Sequence, residues 1–306
     1  MLKQKSWSMR VLLLMSIVFT AAGYSQAQRP GSAANGGRVT PDRVQPEKTK
    51  AGVAVATATP APGECDPDTV KGTCPGTYSF SYGFSANARP RQGGAQTEKA
   101  GVAFAVYFTR RAFFEVDNDN VVSIKPASGD RVTGFGDTTI YVGADALLES
   151  KSRPALTLLY GIKAPSASAT KGIGSGEVDH TLIAAIGKTF RNGRTYFEFD
   201  GGDYIAGRAN ASGFDHFPFA SAFLSQKLDH NNRYKLHLEV GGDFATSKSN
   251  ADMYSLNYLE TRLSKKDDKT YVGLRTGARI GLTPNISRAG LYLALKVAGN
   301  LKDIFR

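Results

Sequence analysis

No apolar run in this 306-residue chain is long enough to cross a bilayer as a helix. The longest, Val11 to Ala22, falls well short of the roughly 20 apolar residues a spanning helix requires, so insertion into a membrane would have to be as strands. Cysteine is nearly absent too. Cys65 and Cys74 stand close together in Gly-Glu-Cys65-Asp-Pro-Asp-Thr-Val-Lys-Gly-Thr-Cys74-Pro, too few ligands for a metal site, and in an oxidising compartment they imply a small-loop disulfide. Neither lies at a processing site, which argues against a lipoprotein anchor. Acidic side chains are the minority, 27 against 38 Lys and Arg, for a formal charge of +11.

The N-terminus explains where such a chain goes. Lys3, Lys5 and Arg10 precede the apolar run, and Ser25-Gln26-Ala27 supplies small residues for cleavage, the layout of a secretory signal peptide over residues 1–27; an uncleaved anchor is the alternative. Removing it takes three cations and no acid, so the charge falls from +11 to +8. An exported chain meets little nucleic acid, and its Lys and Arg residues are spread over turns and polar strand faces. The expected counterparts are therefore anionic lipopolysaccharide or acidic solutes, with no nucleic acid. Residues 28–76 are rich in Gly, Ala, Pro, Thr and Ser without periodicity and read as a low-complexity tail carrying the cysteine loop.

From residue 77 to 306 the pattern changes. Tyr234-Lys-Leu-His-Leu-Glu-Val240 sets Tyr234, Leu236, Leu238 and Val240 on one strand face and Lys235, His237 and Glu239 on the other. Twelve runs of this kind are predicted: 77–86, 101–109, 111–117, 136–148, 154–163, 178–190, 194–207, 215–227, 232–244, 252–264, 269–282 and 288–298. Most exceed the 5 to 6 residues usual in soluble sheets and match the roughly 9 to 11 tilted residues that cross a bilayer. Their connections alternate between compact polar turns, such as Arg191-Asn-Gly-Arg194 and Leu228 to Arg233, and longer segments near 164–177, 207–215 and 243–251. Asn192-Gly193 is a two-residue hairpin signal, since a type I′ turn needs positive φ at both central positions. The fold class expected is all-β: a transmembrane antiparallel up-and-down barrel of about twelve strands, turns in the periplasm and loops outside. A secreted sandwich also alternates, with its apolar face inward. Tyr160, Phe217 and Tyr254 near the loop ends and Phe190, Phe197 and Tyr234 near the turn ends are expected to form two lipid-facing aromatic belts, which favours the barrel.

The polar faces of these strands supply a candidate lumen: Lys163, Glu198, Asp200, Lys235, His237, Glu239, Arg275 and Arg279. They would line a solute pathway, or pair with one another in a plugged interior. No catalytic constellation is expected. His180, His216 and His230 each follow an aspartate, and adjacent strand residues face opposite ways. Gly-x-Ser-x-Gly does not occur. Gly172-Ile-Gly-Ser-Gly176 precedes a strand rather than a helix, so it is no dinucleotide loop, and its glycines are expected to serve positive φ in an exposed loop; no cofactor is implied.

Gly134-Phe-Gly-Asp137, Tyr160-Gly-Ile-Lys-Ala-Pro165 and Gly172-Ile-Gly-Ser-Gly176 together resemble the outer-membrane transporter-like family named for the meta-pathway of phenol degradation, over roughly residues 77 to 300. The resemblance implies a barrel of the bacterial outer membrane that passes small aromatic or hydrophobic solutes and is inserted by the barrel-assembly machinery. It carries over no site residues. The tail with Cys65 and Cys74 lies outside it, and the chain ends Asp303-Ile-Phe305-Arg306 rather than on an aromatic. A structural or adhesive barrel acting through its loops is the alternative function, and an outer-membrane enzyme a further one.

Overall fold

The computed structural model describes residues 76–88, 95–109, 111–190, 193–207, 214–245, 251–265, 270–284 and 286–301. The expected signal peptide, the cysteine loop, Asn192 and the last residues 302–306 lie outside these. Strand alternation produces β1 (Thr77–Asn87), β2 (Gln96–Tyr107), β3 (Ala112–Lys125), β4 (Val132–Gly134), β5 (Thr138–Leu147), β6 (Ala155–Ala164), β7 (Asp179–Phe190), β8 (Thr195–Gly207), β9 (Phe214–Lys227), β10 (Tyr234–Asp243), β11 (Asp252–Arg262), β12 (Tyr271–Gly281) and β13 (Ala289–Asn300). The long strands pair antiparallel in chain order, and β1 pairs with β13. The sheet therefore closes into a barrel of twelve strands, while the three-residue β4 pairs with the loop end of β3. Closure satisfies the backbone of every wall strand from its two neighbours and leaves no edge.

Compact turns gather at one end of the barrel and long connections at the other. Asp229 shapes one turn by accepting the backbone N–H of Tyr234 at 3.0 Å and of Asn231 at 3.2 Å. In another, Gly193 takes φ of +81° as the hairpin motif requires.

β2 and β3 run longer than their sequence pattern suggests, and the cause is a bulge. Ala100 pairs with Val121 but Val102 pairs with Asn118, so Asp119 and Asn120 together oppose the single Gly101 and β3 carries one extra residue. Before the bulge Phe113 and Glu115 are buried inside; after it Val122 and Ile124 are. The alternation changes phase there, so a single period cannot describe the strand.

Burial decides which face is which. On β10 Lys235, His237 and Glu239 are buried while Tyr234 and Val240 are exposed; on β6 Thr157, Leu159 and Lys163 are buried while Leu158, Tyr160 and Ile162 are exposed. A sandwich would reverse this on the charged strands. Outside, Val142, Leu182, Ile186, Phe199, Leu291 and Leu293 extend the apolar surface, which costs little only where lipid covers it. The belt expectation holds for Tyr160, Phe190, Phe197 and Tyr234, all exposed. Phe217 and Tyr254 instead share the inner face. Phe217 pairs with Tyr204, the two rings tilted with centroids 6.3 Å apart, and the Tyr254 hydroxyl donates to Glu239 at 2.7 Å. A slip of one residue in assigned phase moves a side chain to the other face.

Candidate functional site: the barrel lumen

All eight polar residues singled out from the sequence sit on the inner face, but they belong to three different environments. The first is an acidic wall. Glu115 and Asp117 on β3, Asp145 on β5, Asp179 on β7, and Glu198 and Asp200 on β8 project inward. Hydroxyl donors hold several of them. Thr157 donates to Asp145 at 2.7 Å, Tyr196 to Glu198, Ser221 to Asp200 and Tyr204 to Asp179. Between these acids lies an apolar cluster of Ala105, Tyr107, Phe113, Leu159, Ile183 and Phe219. Glycines make room for its rings: a Cβ at Gly143 would collide with the Phe113 ring, and one at Gly202 would stand 2.8 Å from Phe219. The rings can thus lie flat on the wall.

The opposite wall is basic. Lys235 on β10, Arg262 on β11, Arg275 and Arg279 on β12 and Lys296 on β13 project inward. Their mid-wall carboxylate is Glu260, 1 % exposed, which accepts Arg275 Nε at 2.6 Å and the Tyr271 hydroxyl at 2.5 Å. Lys235 Nζ stands 3.8 Å from the same carboxylate. Nearer the loops, the Arg279 guanidinium lies over the Tyr254 ring at 4.3 Å, and Tyr254 holds Glu239. Two charged walls of opposite sign therefore face one another across one lumen, where low-dielectric surroundings strengthen their field.

The third environment is at the mouth, and it unites the three glycine motifs. The 165–178 connection folds back: Ala167 and Ile173 are buried against Val122 and Ile124 of β3. A Cβ at Gly134 would come within 2.6 Å of Ile173 Cδ1, and one at Gly174 within 2.6 Å of Ala167 Cβ, so both glycines serve close approach. Asp137 accepts the Ala167 N–H at 2.9 Å and lies 3.3 Å from Lys163 Nζ. Lys163 also pairs with Asp179 and donates to Ser175 at 2.8 Å. Gly172 and Gly176 do have the positive φ expected, +67° and +73°. The segment between them, however, is a docked latch rather than an exposed loop.

The histidines divide as strand geometry requires. Asp179 is buried inside while His180 faces outward, where its Nδ1 lies 2.7 Å from the Tyr160 hydroxyl. His216 turns away from Asp215 and meets Asp203 at 2.5 Å on the outer face. His237 is inside, stacked on Tyr258 at 4.4 Å. Sequence analysis missed the inward aromatics, among them Tyr107, Tyr141, Tyr196, Tyr204, Tyr258, Tyr271 and Tyr292. Their signal was available: they share strand phase with charged or hydroxylated residues, as Tyr196 does with Glu198 and Asp200.

No family model and no curated protein sequence matches the chain. Among solved structures it is similar to an outer membrane channel from Pseudomonas putida F1, at TM-score 0.54 and 15% identity, covering 77% of this chain and 99% of that one. It also matches the translocator domain of the autotransporter NalP from Neisseria meningitidis, at TM-score 0.49 and 10% identity, covering 74% and 89%. A third match is the CymD monoaromatic hydrocarbon channel, at TM-score 0.42 and 9% identity, covering 77% and 91%. At these identities the likeness is one of fold: a closed, outer-membrane type of β-barrel.

Proposed function

We propose that this protein is an outer-membrane channel for small solutes. One observation carries the reading: charged side chains are buried inside a closed barrel whose exposed surface is apolar. Water and solute inside, with lipid outside, satisfy both surfaces. Twelve strands lie between the roughly eight that fill their own interior and the sixteen or more that leave a wide channel, so the passage is narrow and selective. The inward rings and the glycine motifs also support membership of the phenol meta-pathway transporter family, with aromatic or other small hydrophobic cargo. The solute pathway then runs past Lys163, Glu198, Asp200, Lys235, His237, Glu239, Arg275 and Arg279. Compact turns face the periplasm and the latched mouth faces lipopolysaccharide. Export uses residues 1–27, and insertion uses the barrel-assembly machinery.

A second reading, a structural barrel acting through its loops, is favoured by the apolar cluster that fills part of the interior. Ion conductance of the purified protein in planar bilayers decides between them. Discrete, small current steps support the channel; a folded, heat-modifiable barrel that conducts nothing supports the structural reading.

A further inference from the structure

Phe223, His237, Tyr258 and Tyr292, on β9, β10, β11 and β13, form a ladder of rings along the basic wall. Successive centroids are 5.5, 4.4 and 5.5 Å apart, and His237 lies within 14° of parallel to Tyr258. Gly277 on β12 stands in register between Tyr258 and Tyr292. A Cβ at that glycine would come within 2.5 Å of Tyr258 Cβ, so the absence of a side chain lets the ladder cross the strand. The end rings Phe223 and Tyr292 are only partly buried, which leaves the ladder open to the lumen.

One register step toward the turns stand the cations. Lys235 and Arg275 flank Glu260 in the paired row, and Arg275 lies over Tyr258 at 5.4 Å. Lys235, Lys296 and Arg262 approach the Tyr271 ring at 5.4, 5.4 and 5.3 Å. Among the described residues this is the densest gathering of positive charge inside the barrel.

The independent sign of a ligand is His237. It is 7 % exposed, on the inner face within the ladder and next to the cations, yet neither of its ring nitrogens has a hydrogen-bond partner. Its Nε2 is 3.9 Å from a Glu260 oxygen, beyond hydrogen-bond reach. Buried polar side chains without a partner are few in native proteins and ask for an explanation. A group entering from the lumen would supply one.

We propose that this ladder and its adjoining cations form a binding site for small aromatic carboxylates. The ligand ring packs against the lumen edge of the ladder, and its carboxylate lies among Arg275, Lys235 and Lys296 within reach of His237. A planar guanidinium and a carboxylate match in two parallel hydrogen bonds, which favours a carboxylate over a neutral alcohol. An aliphatic acid meets the cations but leaves the ladder unused, and a neutral aromatic does the reverse. The site deepens the channel reading and rests on it.

The test uses full-length protein refolded in detergent micelles, with sodium benzoate, sodium acetate and benzyl alcohol as probes and calorimetric titration as readout. Benzoate should bind at least about ten-fold more tightly than either single-feature probe. Tyr258→Leu and Lys296→Gln should each weaken benzoate binding about ten-fold. Lys296→Gln should weaken benzoate more than benzyl alcohol, and Tyr258→Leu should weaken benzoate more than acetate. Heat-modifiable gel mobility confirms that each variant retains the barrel. Equal affinity for the three probes, or no loss of benzoate in either folded variant, overturns the site. Bilayer current separates this from the channel reading: benzoate bound without any current sinks the channel and keeps the site, whereas current with no benzoate preference does the opposite.

Discussion

The two walls of the lumen handle buried charge by different means. On the wall from β3 to β8 three of the acids are each held by a short-range donor: Thr157 on Asp145, Tyr196 on Glu198, Ser221 on Asp200. Across the lumen, from β10 to β13, cations crowd around the mid-wall carboxylate of Glu260 and the ring of Tyr271. These three pairs resemble polar groups in a soluble core, since each hydrogen bond fixes one acid through its own donor. The second arrangement is collective, because Arg275, Lys235 and the Tyr271 hydroxyl all address the same carboxylate. Local pairing tolerates the loss of a member better than a shared counter-charge does.

Removing the shared charge is the most severe way to break that comparison. Glu260→Leu leaves Arg275 buried without its partner and should cost about 3 to 5 kcal/mol. Asp145→Asn keeps an oxygen for the Thr157 hydroxyl and should cost about 0.5 to 1.5 kcal/mol. Urea midpoints of the gel mobility shift, measured on protein in lipid vesicles, compare the two directly. Similar losses would mean that the basic cluster is as local as the acidic wall.

Next in size is the contrast between the faces of one strand. Leu238→Arg sets a charge in lipid and should cost roughly 2 to 4 kcal/mol at mid-depth, while Glu239→Gln, one residue on, keeps an acceptor for Tyr254 and should change little. Equal damage from both would show that inner and outer faces had been exchanged.

How much of this was legible follows from what each feature depends on. The alternation of Tyr234 to Val240 gives strand, face and membrane class from one segment, because period and polarity are local properties. Strand ends near Asp119 were not legible: a bulge is a mismatch between partners, and one strand read alone does not contain it. Nor was the inward turn of Phe217 and Tyr254, since an aromatic ring is acceptable to either face and only register decides. Lys163, Glu198 and Arg275 were recognised as inward because charge excludes lipid. Their division into two walls of opposite sign needed the order of strands around the barrel. The latch needed more still, because Gly134 of β4, Asp137 before β5, Lys163 of β6 and Ile173 of the following connection lie in segments that the sequence keeps apart.

The latch should affect current more than stability. Ile173→Asp removes the apolar anchor from the pocket of Val122 and Ile124 and should release the 165–178 connection by local opening, a low-energy event that leaves the barrel folded. Conductance should rise while the urea midpoint stays within about 1 kcal/mol of the parent, as expected for a change confined to one connection. A fall in conductance would mean that this segment holds the passage open.

The smallest effect concerns the field between the walls. If opposed charge sets permeation, neutralising one sign should bias ion preference without closing the pore, because fixed charges act on ions through local potential. Arg279→Gln combined with Lys296→Gln lowers the positive potential of the basic wall while leaving the Glu260 to Arg275 pair intact. Under a ten-fold salt gradient the reversal potential should move toward cation preference, by a fraction of the roughly 59 mV that perfect selectivity for a monovalent ion gives. Glu198→Gln with Asp200→Asn should move it the other way, and by less, since hydroxyl donors already screen those acids. Both shifts should shrink at 1 M salt, where the screening length falls to about 3 Å. Shifts of the same sign from the two double variants would show that ions do not pass between these walls, and the lumen charges would then serve the fold alone.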